Sequence, residues 1–366
     1  MTLGEPLELA VRRTIALAVI LAAALGSGSP SFAQDQQYRT SVVPRNGETL
    51  AGPCLYRLTL PQSVRTVKGV FVIFDRGEQV RSLYSDTTVL QFATRGELGV
   101  LLALHCPAKG SDDIDVIPGN GIGRALLTAL DQFATASKHP ELSRTGLIYF
   151  GMSGAGSLAA RMVDFLPQRT MAAVEYAPDN VDPVGIDTVN LSEKALAVPQ
   201  FIIANGADTV VGTARPYAYF EQYRKLGAPL TFMIQNRTPH CCVANVIPVI
   251  LPWLVDVVRL RGPSADGEMP RIDLTRGWSG TLDVREGGIR EDDPPVKVWN
   301  VVRAEIAPSG QQALSTGRAL DIPRSPADNE VPGSAQLLPA WLPTREFAQA
   351  WLAFSRLEKH PVTAQR

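Results

Sequence analysis

Histidine is scarce in this chain, and the scarcity narrows its chemistry. Of 366 residues only four are histidine and four are cysteine. The cysteines, Cys54, Cys106, Cys241 and Cys242, show no C-x-x-C spacing, so a zinc site is not expected. No other metal ligand pattern and no cofactor motif stands out. An excess of charge of one sign is also missing: 35 basic residues face 36 acidic ones, and no long run of like charge occurs. That removes the electrostatic reason to expect nucleic acid or an acidic membrane surface as a partner. No repeat with a solenoid period and no heptad pattern is present.

One apolar run does stand out. Arg12 and Arg13 precede a hydrophobic stretch over 15–25, followed by Gly26-Ser27-Gly28-Ser29-Pro30 and Ser31-Phe32-Ala33. A charged, then apolar, then small-residue order is that of a secretory signal peptide, here cleaved after Ala33. The run is shorter than the roughly 20 residues of a membrane span. No cysteine follows it to carry a lipid anchor. The expectation is a periplasmic or secreted protein with no stable membrane anchor after cleavage. In that setting cysteines form disulfides, and spacing alone leaves their pairing open.

Beyond the leader, short apolar β-rich runs at 55–60, 70–74, 100–105, 147–150, 171–176, 201–204 and 230–234 alternate with helical patterns. The helix candidates lie at 86–94, 122–136, 157–165, 214–226 and 246–260. Alternation of this kind predicts a mostly parallel, doubly wound α/β sheet covered on both faces. The runs at 69–74 and 99–104 read as strands buried on both sides. After residue 260 Gly, Pro and Asp dominate, with two strand-like pieces at 280–284 and 296–302 and a loop-like stretch at 306–340. Thr344 then caps a helix whose apolar face is Phe347, Trp351 and Phe354. The expected organisation is a signal peptide at 1–33, an α/β domain at 34–261, and an irregular C-terminal extension at 262–366 packed on it.

The chemistry centres on Gly151-Met152-Ser153-Gly154-Ala155-Gly156, which follows a predicted strand and opens a predicted helix. A serine nucleophile on a sharp strand-to-helix turn needs small residues two before and two after it, here Gly151 and Ala155. The hydroxyl needs a base, and among four histidines the choice is short. His360 lies in a polar tail, His139 in a helix-to-strand loop, and His105 at a strand end. His240 follows the last strand and is the expected base. A carboxylate after the preceding strand should orient it, which selects Asp208, with Asp179 and Asp182 as further candidates. Two backbone N–H groups should hold an oxyanion. One belongs to Gly154; the other falls to Arg76 or Gly77 in the turn after the strand at 70–74.

These residues resemble the α/β-hydrolase superfamily over about 53–260, and within it exported bacterial esterases, the poly(3-hydroxybutyrate)-depolymerase group and feruloyl-esterase-like enzymes. The resemblance rests on residues 151–156, on the helix-then-Pro167-x-Arg169-then-strand stretch that follows, on Ala207-Asp208-Thr209-Val210-Val211, and on His240. Ala155 stands where relatives carry glycine, and Asp75-Arg76-Gly77 where many carry His-Gly. The resemblance implies a serine hydrolase cleaving a small-molecule or polymeric ester through Ser153, His240 and Asp208. It also implies that the second and fourth strands are antiparallel neighbours, which places Cys54 beside Cys106 as a disulfide. Cys241 and Cys242 would then form a vicinal disulfide or remain two thiols beside His240. A catalytically inactive binding protein of the same fold, and a serine peptidase, are the competing expectations.

Overall fold

The computed structural model describes residues 35–110, 116–179, 181, 189–262, 269–290, 296–309 and 333–361. The expected signal peptide lies outside the described residues, as does Asp182. The sheet at the centre has eight strands: β1 (Gln36–Val42), β2 (Cys54–Leu60), β3 (Gly69–Phe74), β4 (Leu98–His105), β5 (Gly146–Met152), β6 (Thr170–Tyr176), β7 (Gln200–Asn205) and β8 (Leu230–Gln235). They are ordered β1-β2-β4-β3-β5-β6-β7-β8. β1 and β2 run antiparallel, as do β2 and β4; every later neighbour is parallel. The strands β3, β5, β6, β7 and β8 are buried along their whole length. This is why they read as unbroken apolar runs rather than alternating ones.

Helices cover both faces, as parallel crossovers require. These are α1 (Glu78–Arg81), α2 (Thr87–Gly96), α3 (Ile122–Ser137), α4 (Gly154–Phe165), α5 (Ala214–Lys225), α6 (Ile247–Arg261) and α7 (Arg345–Ser355). Two apolar cores result. One packs α3 and α4 against the sheet through Leu126, Phe133, Leu158 and Val163. The other packs α2, α6 and α7 against the opposite face through Phe92, Ile250, Trp253 and Trp351. The antiparallel β2–β4 pair sets Leu55 against His105, and the disulfide Cys54–Cys106 closes just beyond it with Cα atoms 4.3 Å apart. A strand order of this kind, with a serine turn after β5, defines the α/β-hydrolase fold.

The C-terminal part is more regular than its composition suggests. β9 (Trp278–Arg290) and β10 (Val296–Pro308) form a long hairpin, joined by β11 (Ala335–Gln336) and β12 (Ala340–Leu342) on β9. Strand structure thus reaches into the stretch read as loop. Its aromatic residues enter the main core. Trp341 and Trp351 are fully buried, Trp351 Nε1 donates to the Phe232 carbonyl at 2.9 Å, and Thr231 Oγ1 donates to the Trp341 carbonyl at 2.6 Å. Thr344 caps α7 by accepting from the Phe347 N–H at 3.1 Å.

Candidate active site

Ser153 is the N-cap of α4 and sits at φ 56°, ψ −129°. A non-glycine residue there is strained, and its neighbours must stay small. A Cβ on Gly151 would lie 1.9 Å from the Ala155 carbonyl oxygen, so no side chain is possible at that position. At Gly156 a Cβ would lie 3.1 Å from Pro178 Cα. Ala155 is fully buried, its methyl part of the α4-side core, which is why alanine serves in place of glycine. The turn is pinned by the Ser153 N–H donating to the Tyr176 carbonyl at 3.0 Å and by the Ser153 carbonyl accepting from the Gly156 N–H at 2.8 Å.

Asp208 follows β7 and is fully buried. Its Oδ1 accepts the N–H groups of Val210 at 2.8 Å and Val211 at 3.0 Å. Its Oδ2 lies 2.6 Å from His240 Nδ1. With Nδ1–H committed to the carboxylate, Nε2 is the ring nitrogen left to take a proton. The His240 side chain is 20% exposed, while Asp208 beneath it is fully buried. Asp179 is placed differently: its N–H donates to the Ser153 carbonyl at 3.3 Å and its carboxylate faces Arg215 at 3.8 Å.

Two other histidines are engaged elsewhere. His139 pairs with Glu141 at 2.8 Å. His360, read as a tail residue, is buried and stacks on Phe354 with ring centroids 4.1 Å apart. Burial pushes its pKa down to about 4. The side chain of His105 is outside the described residues.

The turn after β3 is braced by Asp75. Its Oδ1 accepts the Gly77 N–H at 3.1 Å, and its Oδ2 accepts both Arg81 Nε and Nη2 at 3.0 and 2.9 Å. Gly77 has φ 92°, a conformation that favours glycine. Gly154 is the first residue of α4, so its N–H has no partner within the helix.

Several residues that hold the site together carry no local signature. Tyr176 joins nucleophile turn and histidine loop: its carbonyl accepts from Ser153 and its hydroxyl donates to the Cys241 carbonyl. Asn205 Nδ2 donates to the Pro239 carbonyl at 2.9 Å. Gln79 on α1 accepts the Cys242 N–H at 2.7 Å, linking the turn after β3 to the same loop. Cys241 and Cys242 form a vicinal disulfide directly after His240. From the extension, Asn300 donates to the Gly206 carbonyl and accepts the Arg237 N–H, both at 2.8 Å, bridging the loops that carry Asp208 and His240. A cleft of about 1060 Å³ opens between that hairpin and the Asp208 loop; its lining includes Gly206 and Thr209 but neither Ser153 nor His240. Among the described residues no group of three or more His, Cys, Asp or Glu side chains is placed to hold a metal ion.

No protein-family model matches the sequence, and no curated protein matches it. Solved structures give distant likenesses. A Staphylococcus aureus fluorophosphonate-binding serine hydrolase aligns at 12% identity and a TM-score of 0.43, over 61% of this chain and 98% of that one. A fungal esterase from Rhizomucor miehei aligns at 14% identity and 0.44, over 71% and 94%. An esterase from the archaeon Pyrobaculum calidifontis aligns at 13% and 0.43, over 62% and 86%. The α/β-hydrolase fold assignment rests on the strand order and the turn at Ser153, not on these likenesses.

Proposed function

We propose that this chain is an exported serine hydrolase that cleaves carboxylic esters, with Ser153, His240 and Asp208 as its triad. The observation that carries the reading is the 2.6 Å contact between buried Asp208 and His240, on the loops that follow β7 and β8 of the same sheet whose β5 ends in the strained Ser153 turn. His240 Nε2 takes the proton from Ser153 Oγ as that oxygen attacks the ester carbonyl. Asp208 keeps Nδ1 protonated and stabilises the imidazolium. The Gly154 N–H holds the oxyanion. The second donor in this reading falls in the turn at Arg76 and Gly77, which Asp75 braces by accepting the Gly77 N–H. His240 then protonates the leaving alcohol, and water, activated by the same nitrogen, releases the acid. Two disulfides among the described residues support an oxidising location, periplasmic or secreted.

Short p-nitrophenyl esters test the reading. Ser153→Ala should lower kcat on the order of 10⁴-fold or more while circular dichroism and melting stay those of the parent. An undiminished rate in a folded Ser153→Ala protein would refute it.

A further inference from the structure

Asp208 and His240 sit on separate loops, and their approach depends on how those loops are joined. β7 and β8 pair as far as Asn205 with Gln235. Beyond that the Gly206 N–H donates to the Gln235 carbonyl and the Ala207 N–H to the Thr238 carbonyl, both at 2.9 Å. Adjacent residues on one loop thus bond residues three apart on the other. Asn236 and Arg237 loop out between them, with Arg237 at φ 50°. Asn300 of β10 closes this gap: its amide donates to the Gly206 carbonyl and accepts the Arg237 N–H. Asp208 lies two residues beyond the first contact and His240 three beyond the second.

The hairpin is shaped to present that amide. β10 is an edge strand, so one row of its backbone groups is free to pair outside its sheet. The Lys297 carbonyl accepts the Thr213 N–H at 2.9 Å, the Trp299 N–H donates to Thr213 Oγ1 at 2.7 Å, and the Val301 N–H donates to Asn236 Oδ1 at 2.7 Å. Every second residue from Lys297 to Val301 thus holds one of the two loops. The register with β9 shifts on both sides of Asn300, between Val298 and Trp299 and between Val301 and Arg303. Such irregularities re-aim side chains. Two glycines leave room for the amide: a Cβ on Gly206 would overlap Asn300 Oδ1, and one on Gly287 would lie 2.6 Å from Asn300 Nδ2.

We infer that Asn300 is a positioning residue for the triad, and that through it the C-terminal hairpin holds Asp208 and His240 at hydrogen-bond distance. The inference rests on the reading of Ser153, His240 and Asp208 as an esterase triad, and the experiment separates the two. Asn300→Ala removes both contacts. Asn300→Asp, of the same size, keeps the acceptor for Arg237 and loses the donor to Gly206. Thr344→Ala is the control: it loosens the extension through a hydroxyl that bonds Phe347 and Asp256 rather than either loop.

Asn300→Ala should slow fluorophosphonate labelling of Ser153 by roughly tenfold or more, the effect of a small misplacement of the base. The labelling rate constant is read from the shape of the time course, so it does not depend on how much of the protein is folded. On p-nitrophenyl acetate kcat should fall by a similar factor with KM within about twofold. The His240 Nδ1–H proton, held by Asp208, gives a low-field proton resonance identified by its loss in His240→Ala; in Asn300→Ala it should shift or broaden. Asn300→Asp should slow labelling too, which decides the matter if Asn300→Ala does not fold. Thr344→Ala should melt lower and keep the parent's rate constant and resonance. A folded Asn300 variant with the parent's rate constant and resonance would overturn the inference and leave the hydrolase reading standing. So would equal slowing in Thr344→Ala, since that would mark a general loosening. A parent protein that neither labels at Ser153 nor cleaves any p-nitrophenyl ester would overturn the hydrolase reading and this inference with it.

Discussion

Ser153 holds a backbone conformation that costs about 1–3 kcal/mol at a non-glycine residue, and its packed surroundings impose it. β5 and α4 are anchored in the core on either side, and Gly151 leaves room for the Ala155 carbonyl. A second costly residue lies nearby in β6. Glu175, in register with Gly151, is fully buried with neither carboxylate oxygen hydrogen-bonded. Burial alone raises its pKa well above the ordinary 4.5. In the unfolded chain it ionises near that ordinary value; in the fold it holds its proton to higher pH. Above pH 4.5 the unfolded state therefore releases a proton that the folded state keeps, and stability falls as pH rises. Glu175→Gln cannot ionise. Its stability relative to the parent should rise with pH above 4.5, by up to about 1.4 kcal/mol per unit, in urea titrations between pH 4 and 7. A constant difference would show that Glu175 ionises in the fold as it does in water.

The residue scale also shows where sequence reading reached and where it stopped. The Ser153 turn is a local constraint, so small residues at fixed spacing reveal it. Asp208 and His240 are legible because chain order and the scarcity of histidine leave few substitutes. Tyr176, Asn205, Gln79 and Asn300 were not, since each acts on a loop far away in sequence. His360 reads as polar tail; only the packed fold shows Phe354 stacked on it.

At the scale of elements, the two disulfides serve different purposes. Cys54–Cys106 ties β2 to the end of β4 across 52 residues. Closing a loop of that length removes unfolded-state entropy worth about 4 kcal/mol. Cys241–Cys242 spans one peptide bond and closes no loop, so it adds little by that route. It stiffens the stretch after His240. Cys54→Ala with Cys106→Ala should lower stability by several kcal/mol and leave kcat of the folded fraction near the parent's. Cys241→Ser with Cys242→Ser should reduce kcat with a stability change under about 1 kcal/mol. Urea unfolding and initial rates on the same samples check both; the reverse pattern would contradict the assignment. The parallel strands were visible as apolar runs. β1, with its polar Gln36-Gln37-Tyr38-Arg39 start, was not, because it is a mostly exposed edge strand held by pairing with β2.

At the scale of the molecule, the extension beyond residue 262 shares a core with the sheet. Phe347 packs edge-on against Phe201 with centroids 5.8 Å apart, and Trp351 is fully buried against β8. Composition suggested an irregular tail, since charged and glycine residues mask the two long strands of its hairpin. Trp351→Ala should cost about 3–5 kcal/mol and lower the midpoint of a single cooperative unfolding transition. Two separate transitions, with the unfolding of the eight-stranded sheet unaffected, would show the extension folding independently.

The central claim is that Ser153 is an activated nucleophile. A fluorophosphonate probe reacts with a serine only when a base and an oxyanion site act on it, so mass-spectrometric mapping of the labelled peptide is the most direct test. The account predicts one label per chain, on Ser153, lost in both Ser153→Ala and His240→Ala. No label on the folded protein, or a label on another residue, would contradict it.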